Sequence, residues 1–338
     1  MAITRISNPA IADVRGVNFR NIIINGDMSI AQRSTSTASI TTSAYHTVDR
    51  FYTLASIGTW TQSQSTDVPS GQGFSSSFKM DCTTANASPS ASELLIIQHR
   101  IEGQNLQYLK KGTSSAESLT CSFWVKSNKT GTYITQLYDT DNTRQISKSY
   151  TISSANTWEK KTITFAGDTS GTLNNDNAES LRLNFWLGAG TNFTSGTLQT
   201  SWGSAVDADT AVGQVNLADS TSNEWYITGV QLEAGSQASD FEFLPTDVNL
   251  KRCLRYYFKF PNKTWRLFQL SNDGNNYRHY VLIYPVPTRA NPTFTLTVTG
   301  GSSTSVDSSS TLEANISRYV GNDTDYVSAN IVEADAEL

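Results

Sequence analysis

The sequence predicts an all-β fold, a jelly-roll β-sandwich followed by a smaller C-terminal β domain. Three observations predict it: a charged fraction of 16% beside an aromatic fraction of 10%, a content of 43 serines and 42 threonines, and repeated alternation of apolar and polar residues. Charged residues make up about 25% of a typical soluble domain. This chain has fewer, and the hydroxyl groups of serine and threonine supply much of its polarity instead. The aromatic residues supply enough apolar surface for a core, which argues against disorder.

Alternation with a period of two marks strands that have one buried and one solvated face. It is clearest at Leu119–Lys126 and Leu181–Leu187. Weaker alternation predicts strands at Phe51–Leu54, Thr132–Tyr138, Lys161–Phe165 and Trp225–Leu232. Clusters of Gly, Asn, Asp and Ser between them, such as residues 167–177, are typical of loops. Helical periodicity is scarce, and one short turn is predicted at Glu102–Leu109.

The C-terminal part of the chain has a different charge pattern. Residues 251–289 carry eight basic residues against one acid, and residues 290–338 carry one basic residue against seven acids. We predict strands at Lys251–Phe260, Tyr280–Tyr284 and Thr293–Thr299, and a flexible loop at Gly300–Ser310. The acidic last strand is predicted to pair beside the basic early strand; the alternative is that these charges are solvated and never meet.

The predicted organisation has three units. Residues 1–20 form an N-terminal attachment arm, residues 21–248 the jelly-roll sandwich, and residues 249–338 the C-terminal β domain, which is a candidate receptor-binding tip.

Several function classes are disfavoured by composition and motifs. The net charge of −5 and the lack of a long apolar run predict no nucleic-acid binding and no membrane insertion. The first residues have no apolar signal-peptide core, so synthesis in the cytoplasm without a signal peptide is expected. Three separated cysteines, three separated histidines and the absence of known catalytic motifs predict no metal, no cofactor and no catalytic residues. His99, among isoleucines, is predicted to be structural, and the acid pairs at 139–141, 207–209 and 323–325 are interpreted as turn residues rather than calcium ligands.

A series of short segments carries a resemblance to a known family. The segments occur in order at residues 21–33, 48–51, 98–102, 121–126, 227–233, 240–243, 252–257, 285–292 and 334–338. Together they resemble bacteriophage tail-fibre and receptor-binding proteins over nearly the whole chain. The resemblance implies a virion tail component with a carbohydrate-binding-module-like jelly roll that assembles as a homotrimer. It further implies that the arm binds other tail or virion proteins and that the protein adheres to a host surface polysaccharide.

The predicted function is therefore adhesion to a host surface glycan by a phage tail fibre or receptor-binding protein, without enzymatic turnover. One alternative is a purely structural fibre or capsid decoration protein without receptor contact. A less favoured alternative is a polysaccharide depolymerase, which needs two carboxylates at a defined separation.

Two tryptophans are the predicted glycan contacts. Trp124 and Trp186 fall on the polar sides of the two best alternating segments, and an indole left in solvent forgoes about 3 kcal/mol of burial energy. Stacking against sugar rings would explain both, with Lys126, Arg182 and Asn184 binding hydroxyl groups. On that hypothesis Trp186→Ala weakens glycan binding and leaves the fold intact. The alternative is that another strand, a loop or an adjacent subunit covers the tryptophans.

Overall fold

Antiparallel strands dominate the part of the chain that the structure, a computed structural model, describes: residues 19–260, 277–299, 303–319 and 328–338. The first thirteen strands are β1 (Ser36–Ile40), β2 (Ala44–Tyr45), β3 (Phe51–Ala55), β4 (Thr59–Ser65), β5 (Ser77–Thr84), β6 (Leu94–Glu102), β7 (Leu119–Ser127), β8 (Gly131–Asp139), β9 (Arg144–Ile152), β10 (Glu159–Phe165), β11 (Glu179–Ala189), β12 (Gly203–Ser204) and β13 (Glu224–Ala234). Helix α1 (Thr246–Leu254) follows, and then β14 (Tyr257–Phe260), β15 (Tyr277–Ile283), β16 (Thr293–Thr299), β17 (Ser303–Ser309), β18 (Glu313–Tyr319) and β19 (Ser328–Asp335).

The first thirteen strands build the predicted jelly-roll sandwich. One sheet has six strands in the order β1-β4-β5-β13-β7-β10, and the other has seven in the order β12-β9-β8-β11-β6-β3-β2. The long strands β5, β6, β7 and β8 alternate between the two sheets, so neighbours in sequence lie in opposite layers. The all-β prediction is confirmed, and the predicted turn at Glu102–Leu109 contains two short 3-10 turns, at Gly103–Asn105 and Gln107–Leu109.

The core lies between the two sheets and contains the predicted apolar faces. In β7 the inward side chains Leu119, Cys121, Phe123 and Val125 are all at most 6% exposed. The ring centroids of Phe123 in one sheet and Phe185 in the other are 5.1 Å apart. Alternation therefore predicted the inner face of each long strand, because successive side chains of a strand point to opposite sides.

A segment near the N-terminal end of the described chain packs against β13. The Asn25 side chain receives a hydrogen bond from Ile30 N at 2.9 Å and donates to Ile30 O at 2.9 Å, which closes the turn between them. Ile24 N donates to Nε2 of His99 at 3.1 Å. Burial lowers the pKa of His99 well below its usual value, so the ring stays neutral and accepts this bond. The prediction that His99 is structural agrees with this geometry.

Gly26 approaches β13 too closely for any side chain. Val230 N donates to Gly26 O at 2.9 Å, and a Cβ atom at Gly26 would lie 2.0 Å from Val230 O. Gly26→Ala is expected to lower the free energy of unfolding by about 3 kcal/mol, because the clash is with backbone that cannot rotate away. Urea denaturation measures this.

The matched control is Gly188→Ala in β11. A Cβ atom there meets side-chain atoms rather than backbone, Ile57 Cδ1 at 3.2 Å, Asn216 Oδ1 at 3.3 Å and Leu95 Cβ at 3.9 Å, so a smaller change, of about 1 kcal/mol, is expected. Equal losses in the two variants would show that the close approach of Gly26 has no special cost.

The C-terminal part departs from the prediction at its first element. Lys251–Phe260 was predicted as one strand, but residues 251–254 end helix α1 and only Tyr257–Phe260 forms a strand. Leu250, Cys253 and Tyr256 are three residues apart and pack together against Ile24 and Ile30. This spacing places them on one side of a helix, a signal that the dense run of basic and aromatic residues concealed.

Two further C-terminal predictions have opposite outcomes. The acidic last strand does pair with the basic early strand: Lys259 lies opposite Glu333, with Nζ 2.8 Å from Oε1. The predicted flexible loop at Gly300–Ser310 is wrong over Ser303–Ser309, which forms β17 and pairs with β18. Serine and threonine suit the edge strand of a sheet as well as a loop, so composition did not separate the two.

Two three-stranded sheets, β14-β19-β16 and β15-β18-β17, form this C-terminal part. Their shared apolar cluster includes Phe258, Leu282, Tyr284, Ala314 and Ala334. The predicted boundary between residues 248 and 249 falls inside α1, and the division of the chain into three units stays a prediction. Most of the predicted arm, residues 1–18, lies outside the described residues.

The last described residues pack against the seven-stranded sheet. Arg50 is fully buried and forms an ion pair with Glu337, whose side chain is 5% exposed. The Arg50 guanidinium also lies 3.5 Å from the Tyr256 ring centroid. Arg255 pairs with Glu102 at 2.8 Å. Charged contacts therefore connect the C-terminal residues to β6 and to the start of β3.

Candidate functional site

The five predicted glycan-binding residues lie on opposite outer faces of the sandwich. Trp124 and Lys126 point outward from β7 in the six-stranded sheet, whereas Arg182, Asn184 and Trp186 point outward from β11 in the seven-stranded sheet. The predicted single site is thus two separate groups. Sequence alone did not reveal this, because alternation identifies the side of a strand but not the sheet that the strand joins.

Trp186 is buried, so the expectation of an exposed indole is wrong at this position. Its exposed fraction is 3%, and its ring lies 5.4 Å from that of Phe193. The 3-10 turn Thr191–Phe193 and the chain up to Ala211 cover it, together with a satellite cluster that includes Ile96, Ile134 and Leu198. Its Nε1 donates to Gln136 Oε1 at 3.1 Å. The alternative of a covering loop therefore describes Trp186.

Arg182 and Asn184 precede Trp186 in β11 and point to the same outer face. Asn184 is 4% exposed and donates from Nδ2 to Gln136 Oε1 at 2.8 Å. Arg182 remains partly exposed, and its Nε donates to Glu179. Of the three predicted residues on this face, only Arg182 is open to a ligand.

The outer face of the six-stranded sheet carries a group of aromatic and lysine side chains. Five side chains form it, and we call them the aromatic–lysine row: Lys79, Trp124, Lys126, Trp158 and Tyr226. Lys126 lies opposite Tyr226, and Tyr226 lies opposite Lys79 on the next strand. Trp158 comes just before Glu159, which lies opposite Val125, so its indole falls beside Lys126.

The row has a buried base and an exposed top. Tyr226 is 5% exposed and Lys126 is 8% exposed, whereas Trp124 and Trp158 are half-buried. Lys126 Nζ lies 4.3 Å from the ring centroid of Tyr226 and 5.7 Å from that of Trp158, distances at which a cation is attracted to an aromatic face. The partly exposed indoles of the row are thus Trp158, which contacts Tyr226 and Lys126, and Trp124, which lies two residues from Lys126 on the same face.

Asp67, from the β4–β5 connection, fixes the orientation of the Trp158 ring. Its Oδ1 accepts a hydrogen bond from Trp158 Nε1 at 3.0 Å, and its Oδ2 pairs with Lys126. The Trp158 ring also makes an edge contact with Tyr226 at 6.1 Å between centroids. An exposed indole held from two sides loses little entropy when a ligand covers it. Lys126, predicted to bind sugar hydroxyls, instead holds Asp67.

Hydrogen bonds lower the pKa values of two carboxylates that contact the row, Asp67 and Glu224. Partial burial by itself raises the pKa of Asp67, but the hydrogen bonds from Lys126 and Trp158 outweigh it and hold the pKa below its usual value. Burial likewise opposes the hydrogen bonds from Lys79 and Tyr226 at Glu224, whose pKa is also lowered. Both groups are therefore hydrogen-bond acceptors at neutral pH.

Trp158, Tyr226 and Asp67 were missed by sequence reasoning. A signal existed for Tyr226, because it alternates with the buried residues Trp225 and Ile227 and so faces outward. Trp158 precedes its strand and Asp67 lies in a connection between strands, so neither belongs to a periodic segment. Only the strand register brings them to Lys126.

Within the described ranges, no group of three or more His, Cys, Asp or Glu side chains is placed to hold a metal ion, and no helix among those residues is long and apolar enough to cross a bilayer. Asp139 pairs with Lys111 and accepts a bond from Asn142 N at 3.0 Å, so it closes a turn as predicted. Asp207–Asp209 forms a 3-10 turn, and Asp323 and Asp325 lie outside the described residues.

Comparisons with known proteins identify similar folds without assigning a family. No family model matches the chain, and no curated protein matches its sequence. Among solved structures, the enzymatically active domain of bacteriophage CBA120 tailspike protein 4 is 16% identical with a TM-score of 0.33, over 64% of this chain and 21% of that chain. This chain thus spans about a fifth of that tailspike chain.

Two carbohydrate-binding modules are similar at the same level. The family 11 module of Clostridium thermocellum, solved with a β-1,3-1,4-mixed-linked tetrasaccharide, is 12% identical with a TM-score of 0.29, over 56% of this chain and 91% of that one. The CBM22-1 xylan-binding domain of Paenibacillus barcinonensis Xyn10C is 10% identical with a TM-score of 0.28, over 60% of this chain and 94% of that one. At these identities and TM-scores no activity follows for this chain.

Proposed function

We propose that the protein is a non-enzymatic adhesion component of a phage tail that binds a host surface glycan through the aromatic–lysine row. The observation that carries the proposal is the partly exposed Trp158 ring, held by Asp67 and Tyr226, with a second half-buried indole, Trp124, on the same face of the sheet. Tryptophan rings gain by covering an apolar surface, and the C–H faces of pyranose rings are such surfaces.

The polar atoms beside the rings suit a ligand that carries hydroxyl groups. The Asp67 side chain is 44% exposed and its ionised carboxylate accepts hydrogen bonds. Lys79, whose side chain is 23% exposed and paired with Glu224 at 2.8 Å, adds donors on the other side of Tyr226. Small-molecule sites commonly combine an apolar or aromatic surface with a few hydrogen-bond donors and acceptors. Here the same combination lies on the open face of a sheet.

The arrangement supports binding rather than glycan cleavage. Hydrolysis of a glycosidic bond needs a general acid with a raised pKa, and the pKa values of Asp67 and Glu224 are both lowered. Burial raises the pKa of Asp49 to about 6, but its exposed fraction is 1% and both carboxylate oxygens are bonded to Gln32. Asp49 is therefore a structural carboxyl.

The placement of the protein in a virion tail, as a homotrimer attached through residues 1–20, is part of the same proposal. It is supported by the family resemblance of the sequence. Repetition of a weak site in a trimer and in several fibres raises the effective concentration of each site. Soluble protein is accordingly expected to bind susceptible cells and to compete with infection. A protein that does neither, yet is needed for particle assembly, would be a purely structural component.

Trp158→Ala is expected to weaken glycan binding about 5- to 30-fold, because the loss of one stacked ring costs about 1–2 kcal/mol. Trp124→Ala is expected to act in the same direction. An array of bacterial surface polysaccharides identifies the ligand, and titration calorimetry with that ligand gives the affinity of each variant.

The control is Trp202→Ala, which removes another half-buried indole. Trp202 donates to Ala166 O at 2.7 Å and lies near Lys111, away from the row. Its loss is expected to leave the affinity unchanged. If all three variants bind the glycan with the affinity of the parent, or if Trp202→Ala loses as much affinity as Trp158→Ala, the row is not the glycan site.

A further inference from the structure

A second group of polar and aromatic side chains lies on the opposite face of the sandwich. Four outward-facing residues of the seven-stranded sheet form it, and we call them the arginine–tyrosine row: Tyr52, Arg100, Tyr138 and Arg182. Arg182 lies directly opposite Arg100 on β6 and Tyr138 on β8. With strands about 4.8 Å apart, the three side chains span about 10 Å across the sheet.

The two arginines share one acidic side chain. Two like charges directly opposite each other on neighbouring strands are destabilising. Glu179 lies between them: it is bonded to Arg182 Nε and lies 3.6 Å from Arg100 Nε. A second anion beside Arg182 would therefore relieve the repulsion between the two guanidinium groups.

The free hydrogen-bonding capacity of the row is on Arg182. Arg100 donates to Leu338 O at 2.5 Å and to Gln98 Oε1 at 3.1 Å, which fixes it on the sheet. Arg182 makes a bond only through Nε to a side chain of the described residues, and its side chain is 31% exposed. Its two terminal nitrogens therefore offer the planar fork that binds a carboxylate through two parallel hydrogen bonds.

Tyrosine rings flank both guanidinium groups. The Arg182 guanidinium lies 5.6 Å from the ring centroid of Tyr138, and that of Arg100 lies 4.0 Å from the centroid of Tyr52. Tyr138 and Tyr52 are half-buried, so part of each ring remains open to a ligand on the same face. An apolar ring next to a cationic fork matches a sugar ring that carries a carboxylate.

Asn184 is a buried neighbour of the row and is closed to a ligand. It lies two residues from Arg182 on the same face, is 4% exposed, and donates from Nδ2 to Gln136 Oε1 at 2.8 Å. The side chains of this face that a ligand can reach are therefore Arg182 and the partly exposed Tyr138 and Tyr52.

From this geometry we propose that the arginine–tyrosine row is a second binding site, for a carboxylate-bearing saccharide. The Arg182 fork binds the carboxylate, Arg100 adds a fixed positive charge, and Tyr138 contacts the sugar ring. This goes beyond the proposed function, since it places a site of different ligand chemistry on the face opposite Trp158. Each face has its own variants, so either site can fail while the other stands.

Two probes that differ only in charge test the proposal on the full chain: oligogalacturonate and its methyl ester. Titration calorimetry at low salt is expected to show at least five-fold tighter binding of the acid form, with an affinity that falls as salt is added. Arg182→Gln is expected to abolish this preference and to leave weak binding of the ester unchanged. Arg182→Lys is expected to lie between, because it keeps the charge and loses the fork.

Trp202→Ala is the control, and it is expected to leave the preference for the acid form intact because Trp202 contacts Ala166 O and Lys111 rather than a residue of either row. Equal affinity for the two probes, no binding of the acid form, or an unchanged preference in Arg182→Gln would overturn the proposal. Poly-glutamate that binds as tightly as oligogalacturonate would overturn the assignment to a saccharide. Thermal melting of each variant confirms that it remains folded.

Discussion

Replacing Glu337 with alanine is expected to lower the free energy of unfolding by about 3–5 kcal/mol, because it leaves the Arg50 guanidinium buried without its anionic partner. Arg50 is fully buried, and burial by itself lowers its pKa, yet the Glu337 carboxylate, with smaller contributions from Tyr256, Tyr45 and Cys253, raises the pKa above the usual value. The remaining contacts of Arg50, to Arg100 O at 2.6 Å and to the Tyr256 ring, carry no negative charge. Urea denaturation followed by tryptophan fluorescence measures the loss.

Glu333→Ala is the matched control for a salt bridge at the surface. Lys259 and Glu333 are each 28% exposed, and an exposed pair contributes about 0–1 kcal/mol. A double variant, Arg50→Leu with Glu337→Leu, is expected to recover much of the stability, since removing both charges removes the uncompensated one. A loss below about 1 kcal/mol in Glu337→Ala would mean that solvent reaches Arg50 and that this contact does not hold the C-terminal residues on the sandwich.

Trp186→Ala is expected to destabilise the fold by about 3–5 kcal/mol, the usual cost of truncating a large buried side chain. The variant leaves a cavity under the segment from Thr191 to Ala211 and removes the hydrogen bond to Gln136. The hypothesis from sequence expected the opposite result, namely that Trp186→Ala folds normally and binds the glycan more weakly. Thermal and urea unfolding measure the change.

Trp124→Ala is the comparison that isolates burial. Trp124 points outward from β7 just as Trp186 points outward from β11. Trp124 is half-buried, however, whereas Trp186 is buried. A stability change of about 1 kcal/mol is expected. A stable Trp186→Ala variant that had lost ligand binding would instead restore the prediction from sequence.

The two tryptophans show how far sequence reasoning reached. Alternation predicted both strands, both apolar faces and the outward direction of both indoles. It did not predict that a loop covers Trp186, because the covering residues Phe193, Leu198 and Ala211 have no period that relates them to β11. Which outward-facing aromatic stays in solvent depends on contacts between segments distant in sequence.

The charged contacts of the C-terminal residues were likewise predicted only in part. The excess of acids at the end of the chain and of bases after residue 250 predicted that the last strand pairs beside the early basic strand, and the structure gives the register, with Lys259 opposite Glu333. The deeper ion pair of Arg50 with Glu337 joins residues separated by 287 positions. No local pattern near Arg50 identifies it as a buried cation.

Sequence alone determined that the chain forms stacked antiparallel layers and which side of each long strand is apolar, because a strand turns every second side chain to the same side whatever lies around it. Tertiary structure alone decided which strands share a sheet, which polar faces are covered, and therefore that Trp158, Trp124 and Asp67 meet on one face while Arg182 and Arg100 meet on the other. These outcomes depend on the register and packing of distant segments, whose energies arise from contacts that exist only once the chain has folded.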